Sequence, residues 1–100
     1  MSVRVHAVDQ PQLAPFEMPS RFRHDVTYFV SHPGDPGVPE LAPGEYWVSK
    51  EDARRILEDG VFRIVSPLDS DNRTEVEITE EQERWLEWMV QHGIERIRLE

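Results

Sequence analysis

The 100-residue chain has no cysteine, which removes disulfide frameworks, thiolate metal sites and cysteine nucleophiles together. That suits a reducing, cytoplasmic compartment. No apolar run approaches the ~20 residues of a membrane span, and Met1 to Gln10 holds no apolar core of the signal-peptide kind, so the expectation is a soluble protein with no membrane contact. Glycine is sparse, at five residues. Gly34, Gly37 and Gly44 are separated by prolines, which remove the amide donors that a phosphate cradle would use.

Positive charge is also scarce. Eleven Lys and Arg stand against twenty Asp and Glu, for a net charge of −9. The imbalance is concentrated in the second half, which carries −7 against −2 in the first. An acidic field repels phosphates and anionic lipid, so nucleic acid is an unlikely partner on charge alone. Two local basic groups, Arg21 with Arg23 and His24, and Lys50 with Arg54 and Arg55, lack the interleaved aromatics of a stacking platform.

Hydrophobic residues make up 38% of the chain, enough for one small domain spanning residues 1 to 100 and too few for two independent cores. Val3, Val5 and Ala7 alternate with Arg4 and His6, which predicts a strand over Ser2 to Val8. Pro11, Pro15 and Pro19 then mark an extended connector at about 9–21. His24 to Val30, rich in aromatic and β-branched residues, reads as a second strand. The prolines and glycines of 31–44 require a loop, long enough to serve as a binding loop.

After this loop the pattern becomes regular. Tyr46 to Val48 reads as a short strand, and Ser49 caps a helix that Gly60 ends. Val61 to Val65 is apolar on both faces, which suggests a central strand. Ser66 to Arg73 is a polar turn, Thr74 to Ile78 a strand, and Thr79 with Gln82 a capping box for a helix from Glu80 to His92. A last strand covers Ile94 to Leu99. The fold class is therefore α+β, with the order β-β-β-α-β-β-α-β and about six strands in a mixed sheet carrying two helices on one face. Helix-length connections favour right-handed parallel crossovers within 45–65 and 74–99. If the strands at 74 and 94 are neighbours, Glu75 and Glu77 face Arg96 and Arg98.

No catalytic motif stands out, and no cofactor signature is present. Asp69, Asp71, Glu77 and Glu80 fall at oxygen-donor positions of a calcium loop, but Arg73 and Thr74 occupy positions that need a ligand and a glycine. His24, Asp25, His32 and Asp35 form the most suggestive local group for metal binding or acid-base chemistry, with His24, His32 and Asp35 as the candidate ligands, because a strand end and the following loop can converge. Ser49 and Thr79 are already explained as helix caps. Among aromatics, Tyr46 and Trp47 follow the Pro/Gly loop directly, and Trp88 lies at the edge of the apolar face of the second helix. Glu80, Glu83 and Glu87 line the opposite face of that helix.

Elimination therefore favours a small interaction or regulatory module over an enzyme. Its expected partner is a basic protein, met by Tyr46 and Trp47 with the loop, or by Glu80, Glu83, Glu87 and Trp88. The alternative is a metal- or ligand-binding protein or enzyme built on His24, His32 and Asp35. Self-association through exposed sheet edges is a third arrangement.

Overall fold

The computed structural model describes residues 2–31, 34–65 and 73–100. It is an α+β fold, and the described residues form six strands, two long helices and one short helix. Strand β1 is Ser2–Ala7, β2 is Phe16–Pro19, and α1 is the single turn Phe22–Asp25, continued by a 3₁₀ turn at Val26–Tyr28. Then follow β3 (Glu45–Trp47), α2 (Lys50–Asp59), β4 (Val61–Val65), β5 (Arg73–Glu77), α3 (Glu80–His92) and β6 (Arg96–Leu99).

The strands form two sheets instead of one mixed sheet. The first has the order β2-β1-β6-β3 and the second is the hairpin β4-β5. Every pairing between these strands is antiparallel, so neither expected parallel crossover is present. The chain leaves the first sheet after β3, builds the hairpin, and returns through α3 to place β6 between β1 and β3. For the same reason β4 is not central. Its apolar residues split between the hairpin face that packs on the core, where Phe62 is buried, and the other face. The expected Glu75 and Glu77 pairs with Arg96 and Arg98 are not made. Glu75 lies 3.5 Å from Arg63 across the hairpin, and Arg96 lies 3.9 Å from Glu45 across β3 and β6.

The segment expected as a strand from His24 to Val30 is helical as far as Tyr28 and then turns. The alternation of Val26, Tyr28 and Val30 competes with a second pattern, Phe22, Val26 and Phe29 at helical spacing, and those three are the buried residues. Contacts one turn apart reinforce it. Arg21 Nε donates to Asp25 Oδ2 at 3.0 Å, and His24 Nε2 lies 3.1 Å from the Tyr28 hydroxyl. The connector at 9–21 also contains more structure than its prolines suggest. Phe16–Pro19 pairs with β1 alone, and an edge strand tolerates proline because its outer amides need no ladder partner.

Both long helices obey their sequence signals. Ser49 accepts from the Asp52 amide, and Gly60 ends α2 at φ 71°. Thr79 and Gln82 make the reciprocal capping box of α3, and Gly93 ends that helix at φ 66°. Trp85, Leu86 and Met89 point from α3 into a core completed by Val3, Val5, Met18, Phe22 and Ile97. α2 packs on α3 and on β4. No helix among the described residues is long and apolar enough to cross a membrane.

Candidate functional site

Strand alternation separates Tyr46 from Trp47. Tyr46 stands opposite Ile97 on the core face of the sheet and packs against the core, while Trp47 stands opposite Arg96 on the other face. The loop 34–44 folds back toward that outer face and is tied there by the strands beneath it. Glu45 Oε1 accepts from the Ala42 amide at 3.0 Å and Arg96 Nη2 reaches the Glu40 carbonyl at 3.5 Å, while within the loop the Val38 amide donates to the Asp35 carbonyl at 3.1 Å. At the neighbouring position, the Ser31 amide donates to the Trp47 carbonyl at 2.8 Å.

These ties leave a cleft of about 440 Å³ between the loop and the start of α2. Trp47 forms one wall and Asp35 lies on the loop side. Ser49, Glu51 and Asp52 come from the start of α2, and Glu95 from the segment just before β6. Among the described residues the lining holds four carboxylates and no Lys or Arg. Two nearby cations offset part of this charge: Arg55 pairs with Asp52, and the Lys50 ammonium lies 3.9 Å from Glu95. Glu95 also accepts from the Lys50 amide at 3.2 Å, so it helps to seat the helix start. The remaining excess is negative, beside a half-buried indole. Such a site attracts a cation electrostatically and offers it an aromatic face.

Other residues singled out from the sequence are dispersed. Glu80, Glu83 and Glu87 occupy the exposed stripe of α3, where Arg84 pairs with Glu80. Trp88 is half-buried, with its ring 5.4 Å from Phe16 and 6.2 Å from His92, so it holds the β2 segment against α3. His24 is exposed on α1 and contacts Tyr28, and it does not line the cleft that contains Asp35. His32 lies outside the described residues, as do Asp69, Ser70, Asp71 and Asn72 of the calcium-like stretch. Among the described residues no group of three or more His, Asp or Glu is placed to hold a metal ion.

The sequence singled out Trp47 as a partner contact and Asp35 as a metal or acid-base candidate, and it did not indicate Glu51, Asp52 and Glu95 as their neighbours. Glu51 and Asp52 were legible as first-turn acids of a helix, which suit its dipole without any ligand. Glu95 reaches the cleft because β6 lies beside β3, a strand order that periodicity does not encode. Comparison with protein-family models, with curated proteins and with solved structures gives no match.

Proposed function

We propose that this protein is a non-enzymatic binding module for a basic protein partner, and that the cleft between the 34–44 loop and α2 receives a lysine or arginine side chain. The observation that carries this reading is Trp47 forming a wall of a cleft whose charged lining, among the described residues, is carboxylate. An ammonium or guanidinium group over an indole gains roughly 0.5–1 kcal/mol at an exposed site and more when desolvated. Carboxylates at the rim add attraction that salt screens over about 10 Å at 0.1 M. The net charge of −9 supports the same reading by steering basic partners toward the molecule before contact.

In this account the acidic lining of the cleft supplies the field, and Trp47 supplies the contact surface. Glu80, Glu83 and Glu87 add to the long-range field. The test is calorimetric titration with a short arginine- and lysine-rich peptide at low and moderate salt. Binding that weakens with salt, and weakens about tenfold in Trp47→Ala through loss of one cation–aromatic contact, supports the proposal. Salt-independent binding, or equal affinity in the variant, contradicts it.

A further inference from the structure

The hairpin β4-β5 stands apart from the four-stranded sheet, and among the described residues β5 pairs with β4 alone. Its hydrogen-bond parity follows from one bond and the register. The Ile78 amide donates to the Gly60 carbonyl at 3.1 Å, so the pairs Phe62 with Val76 and Ile64 with Thr74 also exchange ladder bonds. The amides and carbonyls of Glu75 and Glu77 therefore point away from β4. No backbone group among the described residues meets them.

The side chains on this open edge separate by face. Glu75 and Glu77 are both exposed on the outer face, where Glu75 is partly offset by Arg63 at 3.5 Å and Glu77 has no charged partner among the described residues. Val76 lies on the inner face beside Phe62. There Tyr28, the exposed large hydrophobic residue of this surface, stacks on Phe62 with ring centroids 5.4 Å apart and 17° between planes. Tyr28, Phe62, Ile64 and Val76 line a shallow depression of about 280 Å³ next to the open edge.

We infer that β5 accepts an added strand from a basic partner, with Lys or Arg at alternate positions opposite Glu75 and Glu77 and an apolar residue between them beside Val76. Free main-chain groups supply the affinity of such an addition, and the alternating faces supply its specificity. The complementary charge selects the occupant. A second copy of β5 centred on Val76 sets Glu75 against Glu77 twice; one centred on Glu75 sets Glu75 against itself but Glu77 against Arg73, and there the whole-molecule charge of −9 supplies the repulsion. The inference rests on the partner being basic, and not on Trp47 being its contact.

The test is amide NMR and hydrogen exchange on the full chain with a blocked peptide of alternating arginine and valine, and with the same peptide N-methylated at alternate amides. Expected are slowed exchange at the Glu75 and Glu77 amides, loss of binding for the N-methylated peptide, and affinity about tenfold weaker in the Glu75→Lys, Glu77→Lys double variant. The Trp47→Ala variant keeps the slowed exchange at β5. Thermal unfolding of the charge-reversed variant shows that it remains folded, and Glu77→Gln, which keeps Glu75 paired with Arg63, gives a smaller loss. Peptide-induced shifts confined to Trp47 and residues 35–38 overturn strand addition while leaving the basic-partner reading standing. No perturbation anywhere overturns both, and equal binding of the N-methylated peptide overturns strand addition alone.

Discussion

Phe22 and Trp85 meet edge to face with ring centroids 4.8 Å apart, joining the short helix α1 to the middle of α3 at the centre of the core. Phe29 approaches the same indole at 5.4 Å. Trp85 is fully buried, and its Nε1 has no hydrogen-bond acceptor among the described residues. Its ring therefore contributes through packing, while its N–H adds a desolvation cost.

Trp85→Ala is expected to destabilise the fold by about 3–5 kcal/mol, the range for removing a buried large aromatic. Trp85→Phe is expected to cost roughly 1–2 kcal/mol, because lost ring volume is partly offset by removing an unpaired donor. Urea unfolding followed by far-ultraviolet circular dichroism checks both. Equal losses in the two variants would contradict the packing account.

The capping box gives a second expectation. The Gln82 amide donates to Thr79 Oγ1 at 3.1 Å and the Thr79 amide donates to Gln82 Oε1 at 2.9 Å, with Gln82 only 5% exposed. Thr79→Ala and Gln82→Ala are each expected to cost about 1 kcal/mol, and the double variant less than the sum because the bonds are reciprocal. A double-mutant cycle in urea reads the coupling directly, and full additivity would contradict reciprocity.

Gly93 ends α3 at φ 66°, where a Cβ would meet nothing nearer than Lys50 Cε at 4.0 Å. Space is available, so the cost of Gly93→Ala is the left-handed backbone alone, roughly 1–2 kcal/mol. That corresponds to a fall in Tm of about 4–8 °C per kcal/mol for a domain of this size. Gly93→Asn is expected to lose less. An unchanged Tm in Gly93→Ala would contradict the left-handed cap.

These elements show what the sequence disclosed and why the rest stayed hidden. Caps, first-turn acids and terminal glycines are local signals, so α2, α3, β4 and β5 were legible, and the α+β class followed; the expected number of strands agrees only because β2 replaces the strand expected at His24 to Val30. The order of strands is non-local. Nothing in residues 45–65 or 74–99 marks the return of β6 between β1 and β3, so parallel crossovers were expected and antiparallel pairs are found. At 22–29 two periodicities overlap, and burial of Phe22, Val26 and Phe29 decides for the helix. Within the candidate site, Trp47 and Asp35 were visible as an aromatic and an acid near a breaker-rich loop. Their joining with Glu51 and Glu95 depends on the same hidden strand order.

The loop itself supplies a fourth expectation. Glu45 holds the Ala42 amide and stands 3.9 Å from Arg96, with its own side chain only 15% exposed. Glu45→Ala is expected to loosen residues 38–44 and speed proteolytic nicking there, at a global cost of about 1 kcal/mol. Glu45→Gln keeps an acceptor for Ala42 and gives the smaller effect. Limited proteolysis with mass mapping of the cuts distinguishes the two, and unchanged cutting in Glu45→Ala would show that the loop is held by other contacts.

The most direct measurement of the central claim uses fluorine NMR of protein labelled with fluorotryptophan, titrated with an arginine- and lysine-rich peptide. The chain has three tryptophans in distinct settings: Trp85 fully buried, Trp88 packed on Phe16, and Trp47 in the acidic cleft. The account predicts that the Trp47 resonance moves most, saturates, and returns toward its starting position as salt is added. A Trp47 resonance that stays still while the peptide binds elsewhere, or while it does not bind at all, contradicts the cleft as the site where a basic partner is recognised.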